Sequence, residues 1–139
     1  MPLFEIPPGP FDAYLFDCDG TIADSMPLHH QVWLEALRPW QCDFPESLFY
    51  EWAGVPIGEV IKRLNDQFKK EMPIEETILA REALYHQFLA QITGVKEVVE
   101  QVHLMFGKIP LAVVSGSPRV SVVKTLETLG LLDRFDALV

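Results

Sequence analysis

The sequence is poor in cysteine and in basic residues, and each shortage excludes a class of protein. Cys18 and Cys42 are the only cysteines among 139 residues, and no Cys-x-x-Cys pair occurs. We therefore expect neither a disulfide framework nor a zinc site. Lysine and arginine number 11 against 20 aspartates and glutamates, for a formal net charge of −9. This balance argues against nucleic acid or an anionic membrane as a partner, since both need a basic surface.

Long apolar runs are also missing. No apolar stretch approaches the ~20 residues that span a bilayer. The first ten residues contain neither the basic region nor the apolar region of a signal peptide. We therefore expect a soluble, cytoplasmic protein. Hydrophobic residues make up 49% of the chain, which is enough to build a core and argues against disorder.

Short apolar runs alternate with helical patterns along the chain. The runs 13–16 and 109–114 predict two buried strands, and 135–139 predicts the start of a third. Apolar residues at helical spacing predict helices over 24–38, 46–53, 56–68, 74–92, 95–106 and 119–129.

This order of elements predicts an α/β fold with a parallel sheet, because strands separated by helices form βαβ units. The helical block interrupts the first crossover. We predict a core formed by residues 1–24 and 94–139, with a helical insertion at 25–93. Ligands of open α/β sheets bind at the carboxyl ends of the strands, which is where this insertion begins.

Two polar motifs follow the first two predicted strands. Asp17 and Asp19 come directly after the first strand, and side chains two residues apart in an extended segment project to the same side. Ser115 and Gly116 come after the second, where a hydroxyl and backbone N–H groups suit a phosphate oxygen. The alternatives are purely structural: the aspartates could cap a turn, and Ser115 could belong to an ordinary serine-capped turn.

A calcium loop is a further alternative for the aspartate motif, and it fails. An EF-hand loop that starts at Asp17 needs glycine at its sixth position and glutamate at its twelfth. Ile22 and Leu28 stand at these positions.

The two motifs together resemble those of the haloacid dehalogenase-like hydrolases. Asp17-Cys-Asp-Gly-Thr21 is similar to the first motif of that superfamily, and the apolar strand that ends at Ser115 is similar to the second. The run from Asp17 to Trp33 resembles the sugar-phosphate phosphatase and β-phosphoglucomutase branch. The resemblance covers nearly the whole chain from residue 11 onward, and it implies a Rossmann-like core with an inserted helical cap.

The resemblance also implies roles for individual residues. Asp17 is expected to attack phosphorus, and Asp19 to protonate the leaving alcohol and then activate water. Mg²⁺ is expected to bind the Asp17 carboxylate and the Asp19 backbone carbonyl. Ser115 and the Gly116 N–H are expected to hold phosphoryl oxygens.

Two further residues are candidates for substrate binding. His29 aligns with a family histidine that faces the acid/base aspartate, although an exposed or core histidine explains it equally well. Arg119 follows the second motif and could reach a substrate anion, with a solvated helix start as its equal alternative.

The leading functional prediction is a Mg²⁺-dependent phosphatase for a small phosphorylated metabolite, such as a sugar phosphate. A β-phosphoglucomutase-like phosphoryl transferase is the second hypothesis. The related mutases carry an arginine where Ile57 and Gly58 stand and a lysine where Pro118 stands, and both differences favour the hydrolase. A non-catalytic module that kept the fold is the third hypothesis.

The resemblance implies two more motifs, a lysine and an acidic pair, which follow the third strand in the superfamily. No residue up to Val139 can be assigned to either role, and Lys124 lies on a predicted helix. We therefore expect this chain to be the N-terminal portion of an enzyme, with a core that is incomplete at its C-terminal end.

Overall fold

The computed structural model describes residues 5–139. The chain divides into two compact units, of which one joins the segment that ends at Asp24 to Thr93–Val139, and the other is Ser25–Ile92. The helical insertion predicted at 25–93 extends one residue beyond this second unit. The core segment predicted from residue 1 includes residues 1–4, which lie outside the described residues.

Among residues 5–139, five short strands lie in the first unit. They are β1 (Tyr14–Phe16), β2 (Ala23–Asp24), β3 (Thr93–Gly94), β4 (Leu111–Val113) and β5 (Ala137–Leu138). Three of them form a parallel sheet in the order β1-β4-β5. The α/β fold with a parallel sheet is thus confirmed.

Two helices pack with this sheet, α5 (Lys96–Met105) and α6 (Arg119–Thr128). Their apolar residues and the inward-facing residues of the strands share one hydrophobic core, because the apolar faces of a sheet and of amphipathic helices are buried against each other. Leu15 is 69% exposed, so β1 is not the fully buried strand that the sequence predicts. The buried members of this core are Phe16, Cys18, Ile22, Val98, Val102, Leu111, Val113, Val122, Leu126 and Leu131.

The sequence did not predict the small antiparallel pair of β2 and β3. Ala23 lies opposite Gly94, and Asp24 lies opposite Thr93. Two residues are too few to show strand periodicity, so only the tertiary structure reveals the pair. A Cβ atom on Gly94 would lie 2.6 Å from Cγ2 of Val99, and the glycine therefore allows this close approach.

The second unit is helical. Four helices precede α5 along the chain and form this unit. They are α1 (Met26–Leu37), α2 (Glu46–Glu51), α3 (Ile57–Phe68) and α4 (Ile74–Phe88). The helix predicted over 74–92 ends early, at Phe88, and a 3-10 turn, Leu89–Gln91, follows. The helix predicted from residue 24 begins at Met26, because Asp24 pairs with Thr93 instead.

The helical unit has a hydrophobic core of its own. The buried members are Trp33, Leu37, Cys42, Phe44, Phe49, Val60, Ile61, Leu64 and Met72. Several aromatic rings meet edge to face here, for example Trp33 and Phe44 with centroids 5.6 Å apart. Among the described residues, no helix has the length and apolar character needed to cross a membrane.

Truncation of Leu64 tests how much this second core contributes to stability. Leu64 is 0% exposed, and Leu64→Ala removes buried methyl groups and leaves a cavity, so we expect a loss of about 2–5 kcal/mol in the free energy of unfolding. Leu79, on α4, is 68% exposed, and Leu79→Ala is the matched control with an expected change within about 0.5 kcal/mol. Denaturant unfolding followed by circular dichroism measures both. Equal losses in the two variants would contradict the described core.

Candidate active site

The carboxyl ends of β1 and β4 lie side by side. Phe16 pairs with Val113, and the N–H of Val114 donates to the carbonyl of Phe16 at 2.8 Å. On the other side, the N–H of Ser115 donates to the carbonyl of Val139 at 3.0 Å. Since the strands are parallel, the loops that follow β1 and β4 leave the sheet at the same edge.

A tight loop after β1 carries the two aspartates. The carbonyl of Cys18 accepts hydrogen bonds from the N–H groups of Thr21, Ile22 and Ala23, at 3.2, 3.0 and 3.0 Å. Gly20 adopts a φ of 78°, a left-handed conformation that glycine reaches without a steric penalty. The loop therefore has little conformational freedom, and it holds Asp19 close to the sheet edge.

Side chains alternate in direction through Asp17, Cys18 and Asp19. The thiol of Cys18 points into the core, and Cys18 is 1% exposed. Asp17 is exposed and Asp19 is half-buried. Oδ1 of Asp17 accepts the N–H of Cys18 at 2.8 Å, which orients the carboxylate. Burial of one cysteine thus leaves two carboxylates accessible from the same edge of the sheet.

The loop after β4 contacts the aspartate loop through Ser117. Its hydroxyl donates to Oδ2 of Asp19 at 2.7 Å, and its N–H donates to Oγ of Ser115 at 3.1 Å. Because Oγ of Ser115 accepts that bond, the Ser115 hydroxyl keeps its own proton for another acceptor. The structure thus joins the two motifs that the sequence singled out, although they are 98 residues apart at this bond.

Ser117 is not among the site residues predicted from the sequence. The signal was present, because Ser115 and Ser117 are two residues apart after a strand, as Asp17 and Asp19 are. Only the fold reveals which hydroxyl faces the aspartate.

Gly116 and Arg119 have surroundings that bear on their predicted roles. A Cβ atom on Gly116 would meet nothing within 4 Å, so this position has no steric need for glycine. Arg119 is exposed at the start of α6, and its Nη1 donates to the carbonyl of Leu138 at 2.7 Å. The guanidinium is thus bonded to the end of β5.

His29 lies on α1 in the helical unit, where it is 7% exposed. Its ring stacks on Tyr85 with centroids 4.6 Å apart and an angle of 7° between the planes. Arg81, on α4, lies 2.6 Å through Nη2 from Nδ1 of His29. The guanidinium of Arg81 also pairs with Glu82 at 2.6 Å and lies over the ring of Trp33, 4.9 Å from its centroid.

The contact with Arg81 decides which nitrogen of His29 carries the proton. A guanidinium has only donors, so Nδ1 of His29 must accept. The ring is therefore the neutral tautomer with its proton on Nε2, which makes Nε2–H a donor. Sequence reasoning missed Arg81, although Arg81 and Tyr85 are one helical turn apart and therefore share a face of α4.

Oxygen donors at the sheet edge suit a hard cation. The described residues contain no group of three or more His, Cys, Asp or Glu side chains that could hold a metal. The exposed carboxylate of Asp17 and the backbone carbonyl of Asp19 are oxygen ligands, which Mg²⁺ prefers. Mg²⁺ keeps several waters and needs only one or two carboxylates, so these residues fit it as part of a coordination shell.

Burial between two carboxylates changes the acidity of Cys18. Removal from water raises the pKa of its thiol to about 12 from 9.0, and the neighbouring charges of Asp19 and Asp17 add to the shift. Burial also raises the pKa of Cys42. Both thiols are therefore protonated at neutral pH and make poor nucleophiles.

Comparison with known families identifies the chain. The sequence model of the haloacid dehalogenase-like hydrolases matches residues 14–139. These residues include both strand-end motifs and all of the helical unit. The chain belongs to this family.

Curated relatives and solved structures agree with this assignment. The chain is 30% identical over 131 residues to the fructose-1-phosphate phosphatase of Escherichia coli, covering 90% of this chain and 66% of that protein. It is 26% identical to a phosphorylated carbohydrates phosphatase of Thermotoga maritima, covering 92% and 60% of the two chains. It therefore spans less than two thirds of the length of these relatives.

The fold itself recurs in a solved structure. CbbY from Rhodobacter sphaeroides, crystallised in complex with phosphate, superposes with a TM-score of 0.79 at 21% sequence identity. The match covers 91% of this chain and 62% of CbbY.

The raised pKa of Cys18 predicts a slow thiol and an alkaline loss of stability. In a Cys42→Ala background at pH 8.5, we expect iodoacetamide to alkylate native Cys18 at least about 100-fold more slowly than the unfolded chain. Well below pH 9 the thiol is protonated in both states and contributes nothing. As the pH rises from 9 towards 12 only the unfolded thiol ionises, so the free energy of unfolding falls.

The control for this prediction is the same background with Cys18→Ala added. That variant is expected to lose the part of the alkaline destabilisation that comes from the thiol. Equal alkylation rates for native and unfolded protein would show that Cys18 is neither buried nor shifted.

The tautomer of His29 is a prediction that nuclear magnetic resonance can check. Long-range ¹H–¹⁵N spectra of the imidazole rings are expected to show His29 with its proton on Nε2 alone. Arg81→Met removes the donor to Nδ1, so we expect the ring to lose this single tautomer. The exposed His103 serves as an internal reference. A His29 spectrum that Arg81→Met leaves unchanged would contradict the assigned bond.

Proposed function

We propose that this protein hydrolyses phosphate monoesters of small phosphorylated sugars through an aspartyl-phosphate. The observation that carries the proposal is the 2.7 Å bond between Ser117 and Asp19. It joins the loop after β1, which holds both carboxylates, to the loop after β4, which holds the predicted phosphate-binding groups. Carboxylates and phosphate-binding groups at one edge of a parallel sheet form a compact site for phosphoryl transfer.

The first step forms the covalent intermediate. A carboxylate oxygen of Asp17 attacks phosphorus, and the bond between phosphorus and the ester oxygen breaks. Asp19 donates its proton to that oxygen, so the sugar leaves as a neutral alcohol. The exposure of Asp17 supports its role, since an attacking carboxylate must be reachable by the substrate.

The second step releases phosphate. Asp19, now a carboxylate, takes a proton from water while the water oxygen attacks phosphorus. The bond between phosphorus and Asp17 breaks, inorganic phosphate leaves, and Asp19 is again protonated. One aspartate thus serves as acid and then as base, and the cycle needs no other proton carrier.

The remaining residues of the proposed site bind the phosphate and the substrate. Ser115 and the Gly116 N–H donate to phosphoryl oxygens as negative charge develops. Asp17 and the Asp19 carbonyl would hold Mg²⁺, which when bound would offset the charge of the phosphoryl group. We assign His29 and Arg119 to substrate binding, and Arg119 has to exchange the Leu138 carbonyl for a substrate oxygen.

The relatives support the substrate class. Two of them are by name a fructose-1-phosphate phosphatase and a phosphorylated carbohydrates phosphatase. The predicted helical insertion, 25–93, is proposed to act as a cap that excludes water during the reaction. Hydrolysis is preferred to a mutase reaction because Pro118 stands where the related mutases carry a lysine.

Replacement of the nucleophile tests the proposed function. Asp17→Asn keeps the shape of the side chain but removes its charge, and we expect kcat for hexose phosphates to fall by about 10³-fold or more. Phosphate release from a panel of phosphorylated sugars measures the rate. Chelation of divalent metal is expected to abolish turnover, and added Mg²⁺ to restore it.

The matched control is Asp12→Asn, an exposed aspartate five residues earlier, which is expected to leave kcat unchanged. Turnover that survives Asp17→Asn would assign the activity to another site. A wild-type protein that releases no phosphate from any sugar phosphate, with Mg²⁺ present, would support the non-catalytic alternative.

A further inference from the structure

Ser117 is the residue that connects the second motif to the proposed acid/base group. Its hydroxyl lies 2.7 Å from Oδ2 of Asp19, and both side chains are half-buried. An ionised carboxylate can only accept, so the hydroxyl is the donor. A hydrogen bond to a charged oxygen is short and about twice as strong as a neutral one.

The backbone of Ser117 is held independently of this bond. Its N–H donates to Oγ of Ser115 at 3.1 Å, and Pro118 follows it directly. The proline fixes its own φ and restricts the conformation of the residue before it. The Ser117 hydroxyl is therefore presented from a backbone with little freedom, and the carboxyl group of Asp19 is held at a defined orientation.

We propose that Ser117 is a positioning residue that selects the oxygen of Asp19 from which the proton is donated. The unprotonated oxygen of a carboxylic acid still accepts, so the proposed arrangement keeps the donation from Ser117 to Oδ2 and has the Asp19 proton on Oδ1. In the first step that proton passes from Oδ1 to the ester oxygen while the bond from that oxygen to phosphorus breaks. The proton of Ser117 is not transferred. This inference rests on the proposed function.

The nature of the leaving group makes the inference testable. A sugar alkoxide is strongly basic and has to be protonated as it leaves, whereas p-nitrophenolate is stable as an anion at neutral pH. A defect in proton donation therefore slows hydrolysis of a sugar phosphate and spares p-nitrophenyl phosphate. A defect in phosphate binding slows both. The ratio kcat/KM reports only the steps up to release of the alcohol, which isolates the first step.

The experiment compares Ser117→Val with Ser117→Thr in the full chain, because the two replacement side chains share one shape and differ in the hydroxyl. We expect Ser117→Val to lower kcat/KM for a hexose phosphate by about 10- to 100-fold and for p-nitrophenyl phosphate by less than about 3-fold. Ser117→Thr is expected to retain most of the activity towards both. Ser117→Ala provides a second variant without the hydroxyl, should the β-branched side chains disturb the loop.

Two further variants calibrate the result. Asp19→Asn is expected to show the same selective loss for the hexose phosphate, with larger magnitude. Ser115→Ala, which removes a proposed phosphate-binding hydroxyl, is expected to slow both substrates to the same degree. Thermal unfolding of each variant checks that the fold is intact.

Each outcome decides the inference. Selective loss in Ser117→Val or Ser117→Ala, with rescue by Ser117→Thr, supports it. Equal loss for both substrates, or no loss at all, overturns it and leaves the phosphatase function standing. A wild-type chain that hydrolyses neither substrate, while its fold is intact, overturns the proposed function and this inference with it.

Discussion

The parallel pairing of β1 with β4 is the contact on which the candidate site depends. Phe16 lies opposite Val113, and the hydrogen bond from Val114 to the Phe16 carbonyl extends the ladder to the last residue before each polar loop. A shift of one residue in this register would turn the strand side chains to the opposite face. It would also separate Ser117 from Asp19. The register is held by apolar side chains such as Phe16, Leu111 and Val113, which are buried in one core.

The two units differ in whether a charged side chain is buried. In the α/β unit the carboxylates remain accessible, and the residue between them, Cys18, takes the buried position. In the helical unit a charged side chain is itself buried, since Arg81 is 4% exposed. Glu82, His29 and the ring of Trp33 surround its guanidinium. A buried ion pair is weak evidence for stability, but the bond from Arg81 to Nδ1 orients the ring of His29.

Much of the fold could be predicted from the sequence, and each feature that was predicted wrongly or missed has a physical reason. Three strands, their parallel arrangement and the helices that connect them were predictable, because apolar runs and helical periodicity are long enough to recognise. The pair formed by β2 and β3 was not, because two residues show no period. The helix that starts at Ile74 ends at Phe88, and the next turn is a 3-10 helix. Apolar spacing does not distinguish an α-helix from a 3-10 helix over a single turn, so the sequence predicted one longer helix.

The sequence by itself determined which chemical groups follow the strands at the sheet edge. Asp17, Asp19 and Ser115 are recognisable because each follows an apolar strand, and the spacing of two residues is a local property of the chain. Only the tertiary structure decided that Ser117 bonds to Asp19 and Arg81 to His29, two pairs whose partners are 98 and 52 positions apart in the sequence. Contacts at such separations depend on strand register and helix packing. Both are set by burial of the whole core, and no local pattern contains that information.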